Sequence, residues 1–347
     1  MASQYTVSLI MSMLCIILTM LPMSQVFCLT LGADYKTVNF SDPDHGVVER
    51  SYIQYLPQSY SGDTPVPLVL DFHGWTSSAQ NQMDTESQLH VLAEEFGFIV
   101  IFVDGVPDSP SGWRSWNINE EAGPYGDVCD RDRDQWGLYE CHYSCEECDV
   151  HTTCKAGMTC YNDMAFVEWL VDQVQEELTI DQDRIHATGF SNGAQFTYYL
   201  ASFSSIKFAS VGIVSGSPLL GFGPLPPTQV PIIDFHGVFD DSIPYAVEYG
   251  AGRGPQGEVE TIMSLDGMYY YDKEEYIGYL TEGFGCGVET EYSTAMDGVE
   301  GWSCTAWHCW TGVVSCTGDY GHGYPFSWDK LQGSRIIWQF MEGFVRK

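Results

Sequence analysis

Arg184-Ile185-His186-Ala187-Thr188-Gly189-Phe190-Ser191-Asn192-Gly193-Ala194 decides how this chain of 347 residues is read. Residues 184–190 read as a strand and 194–203 as a helix, which leaves Ser191 on a tight strand-to-helix turn between two glycines. Such a turn drives the backbone close to its neighbours, so the flanking positions admit only small residues and the hydroxyl is presented outward.

The same rhythm extends in both directions. Residues 67–72 (PLVLDF) and 98–103 (FIVIFV) are short, continuous apolar runs, expected of strands buried on both faces of a parallel sheet. A helical pattern at 87–96 lies between them. Segment 163–178 carries Phe166, Val167, Leu170, Val171, Val174 and Leu178 at helical spacing behind an acidic start. Further strands are expected at 184–190, 211–214, 232–235 and 312–316, and helices near 270–280 and at 331–344. An edge strand is expected at 47–56, after a leader at 29–43. Strands alternating with helices of this length specify an α/β fold with a doubly wound, mostly parallel sheet.

Residues 7–21 form an apolar run of signal-peptide length followed at once by Ser24 and Gln25. Residues 1–28 are therefore expected to be a signal peptide cut near Cys28, and 29–347 a single secreted α/β domain. The remaining ten cysteines are then expected to pair as disulfides rather than to act as thiols or zinc ligands. Six fall at 129–160, within a segment (125–161) that breaks the strand-helix rhythm and reads as a bridged insertion. Four fall at 286–316, just before His322, and bridges are expected within each cluster but not between them. Asn39-Phe40-Ser41 is a glycosylation sequon.

Forty-seven acidic residues against fourteen basic ones give a net charge of −33. That field repels nucleic acid and anionic membranes, so neither is expected as a partner. Asp130, Asp132 and Asp134 have calcium-loop spacing, but Gln135 stands where a glycine is needed and no Glu follows at the twelfth position. No metal and no cofactor is expected.

A serine hydroxyl needs a base, and a base needs an orienting carboxylate. His322, in Gly321-His322-Gly323, lies beyond the last expected strand. Asp240 and its neighbour Asp241 follow the strand at 232–235. The order Ser, Asp, His is the one used by sheets with a serine on such a turn. Developing charge on an attacked oxygen requires fixed donors. The backbone N–H of Asn192 is one candidate, and that of Trp75, with Thr76 as fallback, is the other.

Taken together, PLVLDFHGW (67–75), GFSNGA (189–194), HGVFDDSIPY (236–245) and GHGYP (321–325) resemble the secreted feruloyl esterase and polyhydroxybutyrate depolymerase group of α/β-hydrolases, relatives of carbohydrate esterase family one. The resemblance spans roughly residues 44–344. It implies the α/β-hydrolase fold and places Ser191, Asp240 (in preference to Asp241) and His322 on a catalytic triad. It also places Trp116, in Ser115-Trp116-Asn117, near the substrate rim, and Tyr324 at a wall of the acyl pocket where the family usually has Trp. The expected activity is hydrolysis of polymer-linked carboxylic esters, feruloyl or acetyl, through an acyl-enzyme. The alternatives are a polyhydroxybutyrate depolymerase, a serine peptidase on the same fold, and a non-catalytic acidic matrix or cation-binding protein.

Overall fold

The computed structural model describes residues 13–17, 26–107, 112–118, 159–219, 229–254, 259–264, 268–287, 289–293, 301–309, 312–326 and 329–346. Most of the expected insertion, including five of its cysteines and Asp130–Asp134, lies outside the described residues. Two short strands, β1 (Met13–Ile17) and β2 (Val26–Thr30), pair antiparallel with each other.

The principal sheet is built from ten strands among the described residues. In chain order these are β3 (Gly32–Asp42), β4 (Gly46–Leu56), β5 (Val66–Phe72), β6 (Ile99–Val103), β7 (Ile180–Phe190), β8 (Ser210–Val214) and β9 (Ile232–Gly237), followed by β13 (Glu289–Glu291), β14 (Trp302–Trp307) and β15 (Val313–Gly318). Three shorter strands, β10 (Gly252–Arg253), β11 (Thr261–Met263) and β12 (Tyr269–Tyr271), make a separate small sheet. Across the large sheet the order is β13-β14-β15-β9-β8-β7-β5-β6-β4-β3. The six strands from β15 to β6 run parallel, and antiparallel pairs close both edges.

Helices α1 (Ala79–Asn81), α2 (Leu89–Phe96) and α6 (Lys330–Met341) cover one face; α3 (Asp163–Glu177), α4 (Asn192–Phe203) and α5 (Lys273–Gly283) cover the other. Alternate residues of each central strand serve the two cores. Leu68, Leu70 and Phe72 pack with α3 and α4, while Val69 packs with α2 and α6. This two-sided burial explains the unbroken apolar runs. This is the α/β-hydrolase fold.

The sequence expectation of a leader at 29–43 is corrected: residues 29–30 end strand β2 and 32–42 form strand β3, paired with β4 from Gly32↔Leu56 to Asp42↔Gly46. Strand β4 is consequently not at the edge. The antiparallel pair β13–β14 had no counterpart in the expectations.

Two disulfides, Cys286–Cys309 and Cys304–Cys316, fall within the expected C-terminal cluster. Cys304 and Cys316 are direct register partners on β14 and β15, and β15 ends at Gly318, four residues before His322. Cys160 is also disulfide-bonded.

Two buried polar clusters tie the layers together. Arg50 of β4 pairs with Asp163 at the start of α3 (2.6 Å), both side chains fully buried, and its guanidinium lies over the Phe166 ring. The second Asp163 oxygen accepts from the Asn117 backbone N–H (2.8 Å), and the Asn117 side chain donates to the Tyr161 carbonyl (3.1 Å). On the opposite face, Asp71 of β5 accepts hydrogen bonds from Gln82 (2.8 Å) and Ser87.

Burial pushes the Asp71 carboxyl up from 3.8 to about 7, although the Ser87 and Gln82 hydrogen bonds pull it down. A folded-state value above the unfolded one means that the folded chain holds this proton more tightly. The stability it adds is complete below the unfolded value and is lost as pH rises through about 7. Relative to Asp71→Asn, the wild type should therefore lose a few degrees of melting temperature between about pH 4 and about pH 8. Melting curves of the pair across that range check this; parallel curves would show that Asp71 does not titrate there.

Candidate active site

The chain reaches Ser191 through a backbone that only a strained turn supplies. Ser191 has φ 56° and ψ −119°, between the end of β7 and the first residue of α4. A non-glycine residue held there costs on the order of 1–3 kcal/mol, which the surrounding sheet must offset. Gly193 is required by close approach, since a Cβ on it would sit 2.2 Å from the Phe72 carbonyl oxygen. Phe72 ends the neighbouring strand β5, so this contact seats α4 directly against the loop that follows β5.

The loops after β9 and β15 meet in a similar way. A Cβ on Gly237 would lie 2.2 Å from the Tyr320 carbonyl oxygen. The Phe239 N–H donates to that same carbonyl (3.0 Å), and the Val238 N–H donates to Gly318 (2.9 Å). Ser215, after β8, donates its hydroxyl to the Gly323 carbonyl (2.7 Å). Asp240 and His322 are thus carried on two loops bonded to each other.

The structure brings Ser191, His322 and Asp240 into one line. His322 Nε2 is 2.9 Å from Ser191 Oγ, and His322 Nδ1 is 2.8 Å from Asp240 Oδ2. Asp240 is fully buried, and its other oxygen accepts from the backbone N–H groups of Ser242 (3.0 Å) and Ile243 (2.8 Å). Burial alone would raise this carboxyl, but hydrogen bonds from His236 and His322 and their charges hold it below the usual carboxylate range. Asp241 is exposed and its carboxylate is met by the Ser242 hydroxyl at 3.5 Å. A buried anion on Nδ1 leaves Nε2 free to accept the serine proton.

Asn192 opens α4, so its backbone N–H has no acceptor within the helix. Gly74 and Trp75 line the same cleft from the loop after β5. The fallback donor, Thr76, is placed otherwise: its N–H is bonded to the Arg114 carbonyl (2.8 Å).

His73 fixes that loop. It is fully buried, and burial pushes its imidazole down to about 4, so the ring is neutral. Its Nδ1–H donates to the Gly74 carbonyl (2.7 Å) and its Nε2 accepts from the Gly105 N–H (3.0 Å).

Trp116 and Tyr324, expected at the substrate, lie beneath the cleft and neither lines it. Trp116 stacks on Phe196 of α4, donates Nε1–H to the His73 carbonyl (2.8 Å) and donates its backbone N–H to Asn192 Oδ1 (2.9 Å). It therefore bridges the two loops that hold the candidate donors. The Tyr324 hydroxyl meets Ser334 of α6 (3.0 Å), where burial by that helix keeps it from the cleft.

Ser191 and His322 open into a cleft of about 360 Å³. One wall, Ser77, Asn81 and Glu86, is polar, and Glu86 is paired with Lys330 (2.6 Å). Leu219, Ile243, Met268 and Tyr270 make a second, mostly apolar wall, and Gln195 also lines the cleft. That wall is anchored by Lys273 of α5, fully buried against Asp234 of β9 (2.6 Å). Of these residues, Gln195 was the one accessible from sequence, since it lies one helical turn beyond the serine. The others come from distant segments with no shared pattern.

The chain matches, at 33% identity over 222 residues, a "probable feruloyl esterase C" from Aspergillus oryzae; the match covers 61% of this chain and 65% of that one. A feruloyl esterase B from Piromyces equi is 26% identical over 218 residues, covering 62% of this chain and 33% of its own. A bifunctional acetylxylan esterase/xylanase from Neocallimastix patriciarum is 24% identical over 210 residues, covering 60% of this chain and 24% of its own. The chain is similar in sequence to feruloyl and acetylxylan esterases. It spans less than two thirds of the length of each of these relatives. No family model matches. Among solved structures, an acetyl xylan esterase from Aspergillus awamori shares the fold at a TM-score of 0.50 and 15% identity, covering 89% of this chain and 99% of that one.

Trp116 offers a direct test of the bridge between the loops that hold the candidate donors. Trp116→Phe keeps the stacked ring and the backbone N–H but removes Nε1–H, freeing the His73 carbonyl. Hydrolysis of a small ester should show kcat reduced about tenfold with KM little changed, because loss of transition-state alignment leaves ground-state binding intact. A change in KM alone would place the residue in substrate binding instead.

Proposed function

We propose that this protein is a secreted serine carboxylic-ester hydrolase that cleaves acetyl or feruloyl esters linked to polysaccharide through an acyl-enzyme. The observation that carries the reading is His322 Nε2 at 2.9 Å from Ser191 Oγ with Nδ1 on buried Asp240. Ser191 attacks the ester carbonyl while His322 takes its proton, and the oxyanion is met by the N–H groups of Asn192 and Trp75. His322 then returns the proton to the departing sugar oxygen, leaving the acyl group on Ser191. Water, deprotonated by the same imidazole, releases the acid and restores the serine. Asp240 orients the ring and stabilises the imidazolium throughout.

The esterase homologues support the substrate class, and the Ser77–Asn81–Glu86 wall supplies polar partners for a sugar. Export rests on the apolar segment at 7–21 and the bridged cysteines, and exposed Asn39 on β3 would be open to glycosylation. Among the described residues no helix is long and apolar enough to cross a membrane.

The deciding experiment offers methyl ferulate, acetylated xylan, polyhydroxybutyrate and p-nitrophenyl acetate to the purified protein side by side, with a fluorophosphonate probe mapped by peptide mass. Hydrolysis of the first two with labelling at Ser191 is expected. Preference for polyhydroxybutyrate would move the substrate to a polyester, and no turnover with no labelling would overturn the reading.

A further inference from the structure

Three exposed aromatic side chains stand on the loops that carry the candidate site. Trp75 (44% exposed) follows the His73–Gly74 turn, Trp113 (46%) runs beside it, and Phe239 (50%) directly precedes Asp240. The Trp75 and Trp113 rings meet edge to face with centroids 5.4 Å apart. The Thr76–Arg114 backbone hydrogen bond ties their two segments together at 2.8 Å. Phe239 is braced in the same manner by Tyr249, centroids 5.4 Å apart. An exposed indole on a loop ordinarily loses rotamer freedom when a ligand covers it; a braced ring has lost that freedom already.

We infer that Trp75 and Trp113 form a binding platform for the pyranose rings of a neutral polysaccharide, holding the polymer main chain across the mouth of the cleft. A pyranose has C–H faces that pack on an indole and hydroxyl edges that seek polar partners. The structure offers both together, with Trp75 lining the cleft alongside Ser77, Asn81 and Glu86. Two indoles are too small a patch to dock a folded protein, whose stable interfaces bury on the order of 800 Å² per partner. Neutrality follows from charge. The chain carries −33 overall, Glu86 faces the cleft, and the adjacent cation Arg114 is turned onto Asp104 at 3.5 Å. A uronate polymer would meet this negative field with both nearby cations, Lys330 on Glu86 and Arg114 on Asp104, already paired.

The inference deepens the proposed esterase reading, yet binding to a polymer that bears no ester can be measured without any turnover. Xylohexaose, titrated against the full chain and followed by tryptophan fluorescence, should bind the wild type at least tenfold more tightly than Trp113→Ala. Trp113→Tyr should recover most of the loss, as a ring retained at that position would. In the unaltered protein, xylohexaose should also protect Trp75 and Trp113 from N-bromosuccinimide, read by peptide mass; this measurement needs no variant to fold. Equal binding by Trp113→Ala, no protection, or tighter binding of oligogalacturonate would overturn the platform. Ester hydrolysis without xylohexaose binding would sink the platform alone. Xylohexaose binding without hydrolysis of any ester would sink the esterase reading and leave the platform standing.

Discussion

Ser191→Ala and His322→Ala are each expected to reduce kcat on p-nitrophenyl acetate by at least about 10⁴-fold, with the double variant little worse than either. The reason is that the two groups act as one. In the proposed mechanism Oγ, at 2.9 Å from Nε2, is a nucleophile only while the imidazole accepts its proton, so removing either partner removes the same step. Binding and the backbone donors remain, so a residual rate above that in water is expected. The Ser191→Ala variant should not melt below the wild type, since alanine leaves no buried polar group unpaired. Losses that multiply in the double variant would show two independent contributions and place the nucleophile elsewhere.

Asp240→Asn should cost on the order of 10³–10⁴ in kcat, whereas Asp241→Asn should change it less than threefold. The asymmetry is one of environment. Asp240 is fully buried, and its two oxygens are committed to His322 Nδ1 and to the N–H groups of Ser242 and Ile243. An amide there turns one acceptor into a donor, which sets the imidazole in the wrong tautomer or leaves an N–H facing another N–H. Asp241 stands in solvent, where losing a charge touches neither the imidazole nor the backbone. Steady-state rates of the two variants under one set of conditions decide between them. A crippled Asp241→Asn would shift the orienting carboxylate by one residue.

What could be read ahead of the structure was whatever the chain encodes locally. PLVLDF and FIVIFV are continuously apolar because β5 and β6 are covered on both faces, and the turn at Ser191 is marked by two glycines, Gly193 crowded by the Phe72 carbonyl and Gly189 by the Gly193 carbonyl. Strand β3 escaped because one side of it is open. From Ala33 to Asn39 exposed and half-covered residues alternate, among them Tyr35, Lys36 and Thr37, so no apolar run announces it. The cleft escaped for a different reason. Its far wall joins Leu219, Ile243, Met268 and Tyr270, separated along the chain and brought together through the buried Lys273–Asp234 pair and the Leu219–Tyr270 bridge. Trp116 and Tyr324 show the limit of residue type. An aromatic next to a catalytic motif can face the substrate or support the loops from below, and only packing on Phe196 and α6 distinguishes the two.

The clamp at Arg50, Asp163 and Asn117 has a consequence for how this protein can vary. Asp163 joins the backbone of Asn117, before residues 119–158, to the N-terminus of α3 after them, and Arg50 anchors that junction in the body of the sheet. Asn117 and Asp163 are held within hydrogen-bonding distance of each other, and Arg50, which belongs to neither segment, fixes the pair to the sheet. The clamp itself sets no length for the chain between Asn117 and Asp163, since lengthening a connection whose ends are already held together adds little closure cost. New surface can thereby be acquired beside the site without the strained serine turn being rebuilt, which makes this junction the place where descendants of the fold can diversify at least cost.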